Sequence, residues 1–253
     1  MSRAPHRFYY AGLVGDGVPR VVELSAEESH HLLRVLRLKP GAPVDIFDAA
    51  GTHFAAIVDE PAGDKARVEL LSRLEPERRL GPPVNIAVAI VKRRGMDLLI
   101  EKLSELGVDS LQPLLSDRSV ALPDIKANSQ PPERWDRLAI AAAKQSGRNQ
   151  PLSILPPEPV LEWLRRTRPP AHTVFADVDP KARPLGQWLI ERVGAPLPRW
   201  VAIGPEGGWT PRERDAFAQA GFLPVRMGDL VLRTETAAIA AASACRLVAG
   251  WGE

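Results

Sequence analysis

Between residues 7 and 74 apolar positions recur in runs of strand length, at 8–10, 21–24, 44–47, 54–58 and 65–70. Strands this short and this closely spaced predict a small β-barrel. One helix interrupts them. Ser25 and Glu28 stand in capping-box spacing, and Leu32, Leu33 and Leu36 then recur on one face. The other face carries His30, Arg34 and Arg37, with Lys39 just beyond.

After residue 83 the rhythm changes. Apolar strands are expected at 84–91, 108–115, 173–178, 200–204 and 222–227, with helical patterns between them, which is the pattern of an α/β domain with a mostly parallel sheet. The first of these helices is marked by Met96, Leu99, Ile100, Leu103 and Leu106, and Gly107 supplies its left-handed stop. A later one opens on Thr210, Pro211 and Glu213, an N-cap, a first-turn proline and a glutamate three residues after the cap, and closes at Gly221. The charged, proline-rich stretch 75–83 separates the two rhythms, so domains are expected over 1–76 and 77–253.

Composition narrows this little. The chain has 253 residues, 45% hydrophobic and 25% charged, as an ordinary folded protein does. A net charge of +2 neither demands nor excludes a polyanionic partner. No apolar run has the length of a signal peptide or a membrane span, which places the protein in the cytoplasm; segment 236–250 is short, carries Arg246 and reads as a buried helix. Cys245 is the only cysteine, which excludes an intrachain disulfide or a cysteine-based zinc site. His30 and His31 point about 100° apart on a helix, and no carboxylate triad accompanies them, so no metal is expected. His53 and His172 show no evident partners, and Trp163, Trp188 and Trp200 read as core.

Two segments carry the candidate chemistry. Gly204-Pro205-Glu206-Gly207-Gly208-Trp209 runs from a strand into a helix N-terminus, where backbone N–H groups and a glycine pair permit close approach to a ligand. It is neither a dinucleotide fingerprint nor a phosphate-binding loop, and a plain tight turn remains open. Residues 227–238 run from a strand into an alanine-rich helix through Leu232-Arg233-Thr234-Glu235-Thr236. Arg233 and Glu235 read either as ligand groups past the strand ends or as an ion pair that caps the helix.

These two segments together resemble the RsmE family of ribosomal RNA uridine N3-methyltransferases, within the knotted SPOUT superfamily. Lys92, Glu101-Lys102, Glu105-Leu106-Gly107-Val108, Pro113, Ser119-Val120, Arg134-Trp135 and Gln145-Ser146-Gly147-Arg148 match its other signatures in order, and His30 to Arg37 match the N-terminal one. Trp209 stands where phenylalanine is usual, and Lys144 where glutamate is usual, so Lys144 inherits no role.

The resemblance implies a trefoil-knotted α/β domain with a PUA-like RNA-binding barrel before it, and a homodimer. It implies S-adenosylmethionine bound by three loops: Phe175, Ala176 and Asp177; Ile203, Gly204, Pro205, Glu206, Gly207 and Gly208; and Met227, Gly228, Leu230 and Leu232, with Thr234 and Thr236 beside them. It implies 16S ribosomal RNA of the small subunit as substrate, contacted by Arg7, His30, Arg34, Arg37 and Lys39; the alternative for those positions is a solvated face. Methyl transfer from a sulfonium requires alignment rather than metal, but N3 of uracil must lose a proton. Arg233 is the candidate to stabilise the uracil anion, and Glu235 or Asp177 to take the proton, ahead of Glu206, whose carboxylate is expected to hold its own loop's amides. Rival readings are a knotted enzyme that methylates ribose 2′-O and an RNA-binding protein without cofactor. A third rival, a hydrolase using Ser or His, lacks a nucleophile elbow and any convincing triad order.

Overall fold

The computed structural model describes residues 5–13, 20–74, 81–119, 125–167, 173–192 and 200–249. The chain forms two compact units, residues 1–78 with 143–151, and residues 79–142 with 152–253. The boundary expected between residues 76 and 77, Val120 and His172 lie outside the described residues.

The first unit is a five-stranded sheet of β1 (His6–Tyr9), β2 (Val21–Glu23), β3 (Pro43–Phe47), β4 (His53–Val58) and β5 (Arg67–Arg73), in the order β1-β3-β4-β5-β2. β1 runs parallel to β3 and the remaining pairs are antiparallel. Alternate residues point inward, as a pleated strand requires, so Val44, Ile46, Ala56, Val58 and Val68 enclose one core with Phe8, Val22 and Leu32. The helix α1 (Ala26–His30) starts where the Ser25 hydroxyl accepts the Glu28 N–H at 3.2 Å. It then widens into a π-helical turn, His31–Val35, that buries Leu32 and rests Leu33 and Leu36 against the core.

The expected capping box is only half formed. The Glu28 carboxylate turns away from its own helix and accepts two hydrogen bonds from Lys144 Nζ, at 2.7 and 2.8 Å. The lysine that reverses a charge relative to the family pattern is therefore matched by an acid within this unit. Its ammonium also reaches His31 Nδ1 at 3.3 Å and lies 5.3 Å from the centre of the Phe8 ring. Burial pushes the Glu28 carboxyl above its ordinary value, and Lys144 pulls it back; burial, with Lys144 next, lowers His31. His53, expected to lack partners, has two: Nε2 lies 3.3 Å from Asp45 and Nδ1 3.0 Å from Asn149. Asp45 is 104 positions from Asn149, and sequence spacing gives no hint of such a contact.

The second unit alternates strands and helices: β6 (Asn85–Ala89), α2 (Arg93–Glu105), β7 (Ser110–Leu115), α3 (Glu133–Ser146), β8 (Ser153–Ile154), β9 (Glu158–Pro159), α4 (Val160–Thr167), β10 (Val174–Ala176), β11 (Arg183–Pro184), α5 (Leu185–Ile190), β12 (Val201–Ile203), α6 (Pro211–Gln219), β13 (Leu223–Arg226) and α7 (Thr234–Val248). The last residues of α3 belong to the first unit. The strand order is β11-β13-β10-β12-β6-β7-β8, with β9 also on β7, and every pairing is parallel.

Both faces of this sheet are covered, as a parallel sheet requires. In β6, Ile86 and Val88 pack with α2, α5 and α7, while Ala87 and Ala89 pack with α4, Phe217 of α6 and the aromatic group Trp163, Phe175, Trp200 and Trp209. Trp163, Trp188 and Trp200 are core, at 0, 2 and 9% exposure. Gly107 ends α2 at φ +71°, where other residues would be strained. Ala238, Ala241 and Ala242 are fully buried where α7 crosses β6, α2 and α5, and their small side chains set that close approach. Arg246, near the end of α7, is buried; it donates to the Pro82 carbonyl at 3.0 Å, to Asp109 at 2.8 Å and to the Gly107 carbonyl.

Candidate active site

β10, β12 and β13 lie side by side, and the segments leaving their carboxyl ends enclose a cavity of about 320 Å³. Ligands of open α/β sheets bind at this edge, where chain direction and helix starts converge.

The middle segment is the most constrained. Gly208 N–H donates to the Pro205 carbonyl at 2.8 Å, and the turn this closes needs Gly208 at φ +68°. The chain then enters α6 through a complete capping box: Thr210 Oγ1 accepts the Glu213 N–H at 3.3 Å and the Glu213 carboxylate accepts the Thr210 N–H at 2.8 Å. Trp209 is buried and rests on Phe217 with ring centres 4.8 Å apart. A Cβ on Gly204 would stand 3.0 Å from the Trp209 ring, a tight contact that the indole would have to shift to accept.

Side chains tie the three segments to one another. Trp209 Nε1 donates to the Ala176 carbonyl at 3.0 Å, and Thr234 Oγ1 donates to the Gly204 carbonyl at 2.8 Å. A phenylalanine at position 209 would lack the first of these bonds. Each of these carbonyls accepts one of the side-chain bonds that join the segments.

Of the expected cofactor residues, Ala176, Asp177, Ile203, Gly204, Pro205, Glu206, Gly208, Met227, Gly228, Leu230, Leu232 and Thr234 line the cavity. Phe175, Gly207 and Thr236 do not. Phe175 is buried and stacked on Phe217 at 4.8 Å, the Gly207 carbonyl accepts from Arg118, and Thr236 is exposed on α7. Val178, Pro180, Arg226, Asp229 and Val231 also form the wall. Asp229 and Val231 fall within the expected loop at 227–232, and Val178 and Arg226 adjoin expected loop residues; Pro180 adjoins none.

The cavity wall carries the acids Asp177, Glu206 and Asp229 and the base Arg226. Asp177 is 3.5 Å from Arg214, and Asp229 2.5 Å from Arg226, whereas Glu206 is exposed with no ion pair among the described residues. The Glu206 carboxylate holds no loop amide, contrary to expectation. Ile203, Pro205, Leu232 and Ala237 supply apolar walls, and Leu230 and Val231 stand 80% exposed at the rim.

Arg233 and Glu235 do not line the cavity, although Leu232 and Thr234 on either side of Arg233 do. Arg233 is the N-cap residue of α7, exposed, and has neither a side-chain capping bond nor an ion pair among the described residues. It makes no pair with Glu235. Glu235 Oε2 instead lies near the start of α2, 3.9 Å from where a Gly95 Cβ would be. An ion pair that caps the helix is thus not what these residues form.

In the first unit, His30, Arg34, Arg37 and Lys39 are exposed. Arg34 is 3.2 Å from Asp64, an exposed pair worth little in water. Arg37 adopts φ +53° and donates to the Arg34 carbonyl at 3.4 Å. Arg7 is placed differently: its guanidinium lies 4.9 Å over Phe47 and donates to Asn149 and to the Ala143 carbonyl. No group of three or more metal-ligating side chains, and no helix long and apolar enough to cross a membrane, occurs among the described residues.

A parallel sheet with helices on both faces and a loop-walled cavity at its carboxyl edge defines the α/β class to which knotted RNA methyltransferases belong. The RNA methyltransferase domain family matches residues 78–246, and the RNA methyltransferase PUA domain family residues 24–71. The chain belongs to the RNA methyltransferase family, and within it to the ribosomal RNA small subunit methyltransferase E proteins. A Synechocystis protein of that name is 30% identical over 220 residues, covering 87% of this chain and 71% of that one. The Buchnera aphidicola protein is 28% identical, covering 92% and 93%. The Neisseria gonorrhoeae ribosomal RNA small subunit methyltransferase E, solved with S-adenosylmethionine bound, has a TM-score of 0.81 at 29% identity and covers 96% of this chain and 98% of that one. A Legionella pneumophila protein solved with the same cofactor has a TM-score of 0.83 at 29% identity, covering 96% and 97%. The fold expected from the resemblance, a knotted α/β domain with a PUA-like barrel, is the fold of this family.

Proposed function

We propose that this protein transfers a methyl group from S-adenosylmethionine to N3 of one uridine in the 16S ribosomal RNA of the small ribosomal subunit, as a homodimer in the cytoplasm. The observation that carries the reading is the cavity at the ends of β10, β12 and β13, in a chain of this family. Residues 176–177, 203–206, 208 and 227–232 hold the cofactor, with Thr234 fixing Gly204 and with Phe175 and Gly207 beside the wall. When bound, S-adenosylmethionine supplies an activated methyl on a cationic sulfur.

The chain's own residues do the rest. The loops orient the donor by backbone contacts, and alignment of nucleophile and methyl carbon is the main requirement of a direct displacement. Arg233 has no ion pair among the described residues, so its guanidinium is available to the uracil oxygens and stabilises the anion that forms when N3 loses its proton. Glu235, two residues on, takes that proton. Asp177 is committed to Arg214, which leaves it the lesser base. His30, Arg34, Arg37 and Lys39 contact RNA, and Arg7 acts with them from its place over Phe47. Two apolar rim residues of the cavity loop, Leu230 and Val231, are the kind of exposed surface that a partner subunit covers.

Nucleoside mass spectrometry of 16S RNA from cells with and without the gene tests this. The account expects 3-methyluridine to disappear on deletion and return on complementation. A change confined to ribose-methylated nucleosides would replace the N3 assignment with the 2′-O one.

A further inference from the structure

The cofactor loop is held from one more side, by a residue with no assigned role. The turn after β7 carries Arg118, whose NH1 donates to the Gly207 carbonyl at 2.7 Å. That turn is itself fixed: Ser116 N–H donates to Ser119 Oγ at 3.0 Å, and Asp117 N–H to the Glu213 carboxylate of the α6 capping box at 3.1 Å. The Arg118 stem lies along Gly207, its Cδ 3.4 Å from where a Cβ would be.

One peptide unit is thus gripped at both ends. Its N–H, that of Gly208, bonds inside the turn to Pro205, and its carbonyl, that of Gly207, bonds outside to Arg118. Glycine on both sides of this peptide removes the Cβ clashes that elsewhere oppose a flip. A flip would put a carbonyl where the amide stands and open the turn that shapes Pro205, Glu206 and Gly208 in the cavity wall. Arg118 is exposed and has no ion pair among the described residues, so this bond is the one the structure records for its guanidinium.

We propose that Arg118 is a positioning residue: it locks the Gly207–Gly208 peptide in one orientation and so keeps the methyl-donor loop in its binding form. The proposal rests on the cavity's reading as the S-adenosylmethionine site, but one arm of its test does not. In the free protein, the Gly208 amide should exchange with solvent faster in Arg118→Ala than in the parent, and near the parent rate in Arg118→Lys, which restores a donor. In calorimetric titrations S-adenosylmethionine should bind Arg118→Ala more weakly by about tenfold or more, the scale of one hydrogen bond from a charged donor. KM for the cofactor should rise and kcat at saturation should hold.

Unchanged Gly208 exchange overturns the proposal. So does unchanged cofactor affinity with a raised KM for RNA alone, which would make Arg118 an RNA contact. Altered exchange in a protein whose parent binds no S-adenosylmethionine would uphold the lock and sink the functional reading instead.

Discussion

Thr234 Oγ1 donates to the Gly204 carbonyl across 2.8 Å, joining the first residue of the last helix to the loop that leaves β12. Thr234 is buried, so water has little access to replace this bond. Thr234→Val keeps the shape and removes the donor. It leaves a part-buried acceptor without this donor, which costs about 1 kcal/mol. Urea denaturation should record that loss, and calorimetry should record a weaker complex with S-adenosylmethionine. A variant destabilised but unchanged in cofactor affinity would make the bond merely structural.

Lys144 and Glu28 give a prediction about pH. Both side chains are largely buried, at 16 and 9% exposure, and removing one partner of such a pair costs about 3 kcal/mol. In Lys144→Met, burial of Glu28 acts without its counterweight, so the carboxyl rises further above 4.5. A raised folded-state value contributes stability that is full below the unfolded value and lost as pH rises through the folded one. His31, relieved of the nearby ammonium, moves up toward 6.5 and acts in the same sense. Thermal melts of the variant should fall further below the parent at pH 8 than at pH 5. An equal deficit at both pH values would contradict this.

Much of this architecture is legible in residue order, and the exceptions share a physical cause. Expected strands at 84–91, 108–115 and 200–204 appear as Asn85–Ala89, Ser110–Leu115 and Val201–Ile203, because buried parallel strands are runs of apolar residues bounded by turns. The α6 start was readable because its cap is local chemistry. Two-residue strands such as β8 and β11 are too short to show any period. Residues 143–151 join the barrel through contacts more than 100 positions away, Lys144 with Glu28 among them. At the site, two of the loops were legible from their glycines and strand ends, and the loop at 175–177 only through the family resemblance. That Asp177 faces Arg214, that Arg7 lies over Phe47, and that Arg233 and Glu235 do not pair depends on side-chain directions that tertiary packing sets.

Arg233 separates folding from chemistry. It is exposed and without an ion pair among the described residues, so Arg233→Ala should change stability by no more than about 0.5 kcal/mol. Loss of a donor that acts on the developing anion should lower kcat by about 100-fold or more. Single-turnover methylation with saturating cofactor and RNA reads this directly. Arg233→Lys should recover only part, since a point charge does not replace a planar fork. Turnover near the parent rate in Arg233→Ala would remove the residue from the mechanism.

The most direct test of the whole account is a methyl count at one atom. Isotope-labelled S-adenosylmethionine is incubated with this protein and with small ribosomal subunits that lack the modification, and the 16S RNA is digested and mapped. The three-loop cavity and the exposed Arg233 predict one labelled methyl per subunit, at N3 of a single uridine, and almost none with Arg233→Ala. Label on a ribose, or on no nucleotide at all with a protein that binds the cofactor, would contradict it.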